Sequence, residues 1–305
     1  MQVRSRTRLA RVCAREMRLM ASSSVTVRDG LPRHALARPF PVSGCLLAQQ
    51  TSRTRQPSEV LAARGVAVGG RRYGDRVPPP LADHDQIGMS TGVFASSRGS
   101  WPSLVDQATR VSTIAVELSA LSGDELPGLV SYLRSEPRLP FGYVSVHAPV
   151  KGIDTLRGHS LLHELPLRVR SIVVHPDAEI DLDSCQALGS RLTLENMDFR
   201  KDSGRVAAEL EPFFAALPDA GFCLDIAHAH SIDPSMNAAH ELLDRVGGRL
   251  RQVHLSSLDD DGHHVPMTEG DESLFAPVLD RCRDVPWILE APPPRSWSDR
   301  QARWD

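Results

Sequence analysis

From Gln86 onward the sequence alternates between short apolar, often β-branched runs and longer amphipathic stretches. This alternation is typical of βα units that build a parallel sheet. The apolar runs predict eight strands, at residues 86–90, 113–118, 143–147, 171–175, 192–195, 222–225, 252–255 and 287–290. Eight such strands predict an α/β fold, a compact (β/α)8 TIM barrel that spans residues 86–293.

The amphipathic stretches predict helices at residues 122–135, 204–217, 236–246 and 273–283. Ser122 and Glu125 have the spacing of a capping box at the start of the first helix, and Gly247 and Gly248 stop the third. The alternative architecture is an open doubly wound sheet, which usually carries a glycine-rich phosphate loop. Because GMSTG at residues 88–92 is not G-x-G-x-x-G, the barrel is favoured.

The chain before the barrel has a different composition. Residues 1–86 contain 15 Arg, no Lys and 6 acidic residues, and RSRTRLAR, ASSS, GGRR and VPPPL show no sustained periodicity. We expect residues 1–85 to be a largely disordered basic extension and residues 294–305 to be a short tail. Such an extension can contact nucleic acid or resemble a transit peptide, and an overextended start is a further interpretation.

The remainder of the chain is acidic, with 20 basic and 32 acidic residues. A surface that binds DNA needs basic side chains to neutralise phosphates, so this charge disfavours nucleic acid as a partner. No apolar run reaches the ~18 residues of a membrane span. The five cysteines are odd in number and include no CxxC pair, which disfavours a disulfide framework and favours a cytoplasmic location. The sequence leaves the oligomeric state open.

Side chains that can bind metals stand at or just after the ends of the predicted strands. They are Glu117, His147, His175, Glu195, Asp225, His228, His254 and Glu290, and the loop after strand seven adds Asp261 and His263. The carboxyl ends of barrel strands converge on one face, so these groups are expected to meet there. The predicted strands contain no arginine, and Lys151 and Lys201 are the only lysines. A divalent cation is therefore the expected partner of the buried carboxylates.

The motifs HAP, HP, LEN, CLDxxHA, VHL, DxHH and ILE occur in this order between His147 and Glu290. They resemble the xylose isomerase-like TIM barrels, and among these the endonuclease IV branch, over about residues 86–293. The resemblance implies a three-zinc cluster in which Glu195 is a bridging carboxylate. The implied ligands are His147, His175, Glu195, Asp225, His228, His254, Asp261, His263 and Glu290.

Outside these ligands the sequence departs from the endonuclease IV branch. Val150 stands where that branch has a tyrosine, and LENMDF, DIAH and HLSSLD replace its LENTAG, DTCH and HLNDSK. Together with the acidic barrel, these departures disfavour an endonuclease that acts on abasic-site DNA.

The sugar isomerases and epimerases of the same superfamily imply a second interpretation. They bind one divalent ion through residues that correspond to Glu195, Asp225, His254 and Glu290. The resemblance implies that Glu195 and Glu290 shuttle a proton through a metal-stabilised enediolate and that His228 orients a substrate oxygen. In this interpretation His147, His175 and His263 contact the substrate instead of the metal. Glu117 and Asn196 are further expected substrate contacts, whereas the arginine that epimerases often place after the strand-seven histidine is missing.

We therefore predict a metal-dependent isomerase or epimerase that acts on a small sugar or sugar phosphate with one Zn²⁺, Mn²⁺ or Mg²⁺. The first alternative is a phosphoester hydrolase of the endonuclease IV type with up to three Zn²⁺. The second is a degenerate barrel that binds metal or sugar without catalysis.

Overall fold

The computed structural model describes residues 84–152, 155–176 and 181–292. The predicted basic extension up to residue 83 and the predicted tail after residue 293 lie outside these ranges, and their predictions stay untested. Within the described residues, every helix is too short or too polar to cross a membrane.

Eight parallel strands close into a barrel, as the hydrophobic pattern predicted. The barrel strands are β1 (Ile87–Ser90), β2 (Ala115–Ser119), β3 (Tyr143–His147), β4 (Ser171–Val174), β5 (Leu192–Glu195), β6 (Gly221–Asp225), β7 (Leu250–Leu255) and β10 (Trp287–Leu289). Each strand pairs with its neighbour in chain order, and β10 pairs with β1 to close the sheet. A small antiparallel hairpin of β8 (Ser257–Leu258) and β9 (His264–Val265) stands between β7 and β10.

Helices alternate with the barrel strands. The helices are α1 (Trp101–Val111), α2 (Leu126–Arg134), α3 (Thr155–His163), α4 (Leu182–Leu188), α5 (Ala207–Ala216), α6 (Ile226–Ile232), α7 (Asn237–Val246) and α8 (Glu269–Leu279). The structure thus confirms the predicted (β/α)8 barrel over the described residues.

The predicted starts of two helices, at residues 122 and 273, are wrong, since the observed helices begin at Leu126 and Glu269. The predicted capping box at Ser122 does not start α2, because Glu125 itself is the N-cap and its carboxylate accepts from the backbone N–H of Leu121. The last helix begins at Glu269, earlier than predicted. Thr268 and Asp271 form a reciprocal capping box there, which satisfies backbone N–H groups that have no partner inside the helix.

Side chains of each strand alternate between the helices and the barrel interior. In β6, Phe222 contacts Phe214 of α5 edge-to-face, with ring centroids 6.3 Å apart, so Phe222 faces outward. Cys223 and Asp225 therefore face inward. The outer layer is apolar, whereas the interior contains many hydrogen-bonding side chains.

Polar groups in the interior of the barrel bond to one another across strands. The Ser145 hydroxyl donates to Glu117 Oε2 over 3.0 Å, and Ser171 Oγ lies 2.6 Å from Thr193 Oγ1. The layer is fully buried, so these hydrogen bonds offset the cost of removing the groups from water.

Candidate metal centre

Four strand ends bring three carboxylates and one imidazole together. Glu195 ends β5, Asp225 ends β6, His254 lies near the end of β7, and Glu290 directly follows β10. One ligand atom from each lies within 4.8 Å of the ligand atoms of the other three. We call these four residues the tetrad. The parallel strands explain the convergence, since all their carboxyl ends open on one face of the barrel.

The spacing of the tetrad fits one divalent cation. His254 Nδ1 lies 3.4 Å from Glu195 Oε1 and 3.4 Å from Glu290 Oε1. Ligand atoms at about 2.1 Å from a four-coordinate ion lie about 3.4 Å apart. The distances are thus those of neighbouring ligands of one ion.

Unsatisfied polar atoms point to the same conclusion. Glu195 Oε1, Asp225 Oδ2 and His254 Nδ1 are buried and have no hydrogen-bond partner among the described residues. A buried polar atom without a partner is costly, and most such atoms in native proteins are satisfied. All three atoms belong to the tetrad, so the residues present fit a bound cation.

The charges of the tetrad shift the pKa values of its glutamates. Burial, together with the neighbouring Glu195 and Asp225 carboxylates, raises the pKa of Glu290 well above its usual value, despite the opposing effect of His254. Burial also raises the pKa of Glu195, but His254 and His175 outweigh it and hold that pKa well below its usual value. The pKa values of two glutamates in one site are therefore shifted in opposite directions.

Two histidines contact the second oxygen of Glu195. His147 Nε2 lies 3.1 Å and His175 Nε2 lies 3.4 Å from Glu195 Oε2, and the two rings meet edge-to-face. Burial lowers the pKa of His147, but the hydrogen bond and charge of Glu195 raise it to about 9. Glu195 thus directs Oε1 towards the tetrad and Oε2 towards this histidine pair, an arrangement that suits a bridging carboxylate.

Asp225 is held in place by the helix that follows it. Its Oδ1 accepts a hydrogen bond from the backbone N–H of His228 over 2.7 Å and so caps α6. The cap occupies one carboxylate oxygen and leaves Oδ2 directed at the tetrad. This short helix also carries His228, whose Nδ1 donates to the Asn196 carbonyl over 2.9 Å.

Two of the predicted ligands lie away from the cluster. Asp261 and His263 are exposed on the turn of the β8–β9 hairpin, and the His263 side chain is 73% exposed. His263 Nδ1 lies 3.3 Å from Asp259 Oδ2, also on that turn. The structure therefore does not bring this predicted pair to the site.

His264, the next residue, takes the position that was predicted for His263. Its Nδ1 lies 2.7 Å from Ser256 Oγ and 3.6 Å from Glu290 Oε2. It also forms a possible ligand group with Asp225 and His228. Burial lowers the pKa of His264 to about 4, so the ring is neutral and able to bind a cation or a substrate hydroxyl. The sequence signal was present in the double histidine, but the hairpin register decides which of the two faces inward.

The two predicted substrate contacts are both buried below the open face of the barrel. Asn196 is fully buried, and its side-chain amide exchanges hydrogen bonds of 2.9 and 2.8 Å with the backbone carbonyl and N–H of Asp225. Glu117 is fully buried because it lies in the middle of β2, below the strand end where it was expected. Neither side chain is exposed to a substrate at the face of the barrel.

Asp198 and Arg200 are site residues that the sequence did not indicate. Asp198 Oδ2 lies 3.7 Å from His228 Nε2 and accepts from Arg200 Nη2 over 2.6 Å. Burial raises the pKa of Asp198, but the bonds from Arg200 outweigh it and keep that pKa below its usual value. The turn that follows β5 brings Asp198 and Arg200 together, and no regular sequence pattern indicates this turn.

Residues 180–304 match the protein family described as xylose isomerase-like TIM barrel. The resemblance read from the motifs is therefore confirmed at the level of this family over residues 180–304. No curated protein matches the chain.

Solved structures of several barrel proteins are similar to this chain. A D-tagatose 3-epimerase-like protein is 20% identical, with a TM-score of 0.48 and coverage of 72% of this chain and 95% of its own. Endonuclease IV from Thermus thermophilus is 21% identical, with a TM-score of 0.44 and coverage of 72% and 97%. A D-psicose 3-epimerase determined in the presence of D-fructose is 12% identical, with a TM-score of 0.46 and coverage of 68% and 84%. Because these TM-scores are below 0.5, the function is inferred from the side chains of the site.

Proposed function

We propose that this chain, whose residues 180–304 belong to the xylose isomerase-like TIM barrel family, is an enzyme that isomerises or epimerises a small sugar with one divalent cation. The observation that carries this proposal is the tetrad of Glu195, Asp225, His254 and Glu290. It combines a spacing that suits one ion with three buried atoms that have no hydrogen-bond partner among the described residues.

A divalent cation in the tetrad would polarise the carbonyl and the adjacent hydroxyl of a sugar. Glu195 and Glu290 then divide the proton transfer. The pKa of Glu195 is lowered and that of Glu290 is raised, so the two carboxylates differ in environment, as an acid and base pair requires. Glu195 would take the proton from the carbon beside the carbonyl, and Glu290 would deliver a second proton to the resulting enediolate, which converts the substrate into an isomer and leaves the first proton on Glu195.

His228 is suited to orient the substrate. Its Nδ1 donates to the Asn196 carbonyl, so Nε2 is the ring nitrogen that can hydrogen-bond to a sugar hydroxyl. Asp198 lies beside Nε2 and Arg200 holds Asp198 in place. These contacts fix the orientation of the His228 ring next to the tetrad.

Two arginines on loops that follow barrel strands are already paired, which favours a neutral sugar over a sugar phosphate. Arg98, on the loop after β1, bonds to the Glu125 carboxylate and to the Ser119 carbonyl. Arg200, on the loop after β5, bonds to both oxygens of Asp198. Both guanidinium groups already pair with carboxylates of this chain, and a phosphate would have to compete with them.

A multi-zinc phosphoester hydrolase is the second candidate, and one feature favours it. His147 and His175 approach Glu195 Oε2, and Asp225, His228 and His264 form a third possible ligand group. Three ions could share these residues with Glu195 as a bridge. The exposed positions of Asp261 and His263 weigh against this candidate.

The proposed activity can be tested by proton exchange. The protein is incubated in D2O with Mn²⁺ or Mg²⁺ and a panel of ketohexoses, aldohexoses and their phosphates, and the sugars are followed by NMR. We expect deuterium at the carbon beside the carbonyl together with an isomeric product, and loss of both in Glu290→Gln. Cleavage of an abasic-site oligonucleotide without exchange in any sugar would instead support the hydrolase.

A further inference from the structure

We infer that Glu117 is a positioning residue that holds the His254 ring with its Nε2 proton directed into the barrel and its Nδ1 lone pair directed at the cation. This inference rests on the proposed cation site. It gives a role to a buried carboxylate that takes no part in the proposed proton transfer.

The contact between the two side chains is direct and buried. Glu117 Oε2 lies 3.2 Å from His254 Nε2, and both residues are inaccessible to solvent. Nδ1, the other nitrogen of the same ring, faces Glu195 and Glu290. The imidazole therefore stands between the tetrad on one side and Glu117 on the other. Histidine ligands of metals commonly donate their second ring N–H to a carboxylate in this way.

The polar interior fixes the carboxylate of Glu117. Ser145 Oγ donates to Glu117 Oε2 over 3.0 Å, and Gln252 Nε2 donates to the same oxygen over 2.7 Å. The Tyr143 hydroxyl donates to Gln252 Oε1 over 2.9 Å, which turns the amide nitrogen of Gln252 towards Glu117. Tyr143, Gln252, Ser145 and Glu117, from β2, β3 and β7, thus form one chain of hydrogen bonds, with a branch at Ser145, that ends at His254.

This chain of bonds selects one of two tautomers. Gln252 Nε2 also lies 2.8 Å from His254 Nε2. If the amide donated to that nitrogen, the proton of a neutral ring would lie on Nδ1 and would oppose a cation in the tetrad. An anionic Glu117 favours the opposite tautomer, because it can only accept from the Nε2–H. The negative charge of Glu117 is therefore the feature that matters, more than its shape.

Glu117 Oε1 is a further sign of a function beyond packing. This oxygen is buried and has no hydrogen-bond partner among the described residues. An isolated buried carboxylate is costly, whereas a nearby imidazole bound to a divalent cation compensates its charge. A purely structural position in the barrel interior would be filled more cheaply by an apolar side chain.

The test compares cation affinity in matched variants. Glu117→Gln keeps the volume of the side chain but replaces the acceptor with an amide that can donate to His254 Nε2. Ser171→Ala is the control, because Ser171 bonds to Thr193 in the same buried interior. Binding of Mn²⁺ and Zn²⁺ is measured by calorimetry after chelation, and folding is checked by circular dichroism. We expect affinity to fall about 10–100-fold in Glu117→Gln, with little change in Ser171→Ala.

The outcomes separate this inference from the proposed function. A wild type that binds neither ion would refute the cation site itself. A wild type that binds and a folded Glu117→Gln that binds equally well would refute only the role of Glu117.

A second measurement does not depend on whether Glu117→Gln folds. In the Zn²⁺-loaded wild type with ¹⁵N-labelled histidine, NMR should show the His254 proton on Nε2, with the resonance identified by its absence in His254→Gln. A His254 proton on Nδ1 would overturn the inference.

Discussion

The side-chain amide of Asn196 pairs with the backbone of Asp225 through both of its ends, over 2.9 and 2.8 Å. The Asn196 side chain therefore continues the hydrogen bonding between β5 and β6 beyond the last paired residues. Asn196 thereby fixes the backbone of Asp225, while the cap of α6, the bond from the His228 N–H, fixes Asp225 Oδ1. Two independent contacts thus aim Asp225 Oδ2 at the site.

Asn196→Ala is expected to leave the N–H of Asp225 buried and unpaired, whereas the C=O of Asp225, as the N-cap carbonyl, keeps the first hydrogen bond of α6. The cost to the free energy of unfolding should be about 1–3 kcal/mol, the cost of one buried group without a hydrogen-bond partner. Cation affinity should fall as well, because Asp225 loses its orientation. Urea unfolding of the metal-free protein and calorimetric titration with Mn²⁺ measure the two effects. Unchanged stability would show that water or a shifted strand replaces the amide.

Glu290→Gln should affect the metal-free and metal-bound proteins in opposite ways. Burial and the neighbouring carboxylates raise the pKa of Glu290, so its negative charge opposes folding of the metal-free protein, and a neutral amide should leave that protein at least as stable as the wild type. The stabilisation by added cation should shrink, because a ligand that binds only the folded state stabilises it in proportion to its affinity. Thermal unfolding with EDTA and with Mn²⁺ tests both. A large loss of stability in EDTA would mean that Glu290 is needed for the fold itself.

The adjacent histidines of the hairpin should respond differently to substitution. His263→Ala removes an exposed ring and should change the free energy of unfolding by less than about 0.5 kcal/mol, with cation content unchanged. His264→Ala removes a ring that contacts Ser256 and approaches Glu290, so it should alter turnover or substrate affinity. Isomerase kinetics of the pair provide the comparison. Equal effects of both substitutions would contradict the hairpin register.

The sequence predicted the barrel and most of the site because both depend on repeating features. Parallel strands appear as apolar runs, and the residue at each strand end must face the same opening, so Glu195 and Asp225 could be placed without a structure. Their neighbours could not be placed in this way. Asn196 follows the same strand, yet its role depends on the distance to the backbone of β6, which no local pattern encodes.

The errors have similar physical causes. His263 and His264 differ by one position in a hairpin, and only the pairing of Leu258 with His264 decides which ring faces inward. The sequence predicted that Glu117 lies at the end of its strand, but β2 continues to Ser119, so the glutamate lies in the barrel interior. Each error is a shift of one or two residues in register, which hydrophobic periodicity alone does not fix.

The number of bound metal ions tests the central claim most directly. Purified protein is loaded with an excess of Zn²⁺ or Mn²⁺, dialysed against metal-free buffer and measured by elemental analysis, with Asp225→Asn as the matched control. The tetrad predicts about one divalent ion per chain in the wild type and a marked loss in the variant. Close to three zinc ions per chain would contradict the single-ion account and favour the hydrolase, and a wild type without metal would contradict both.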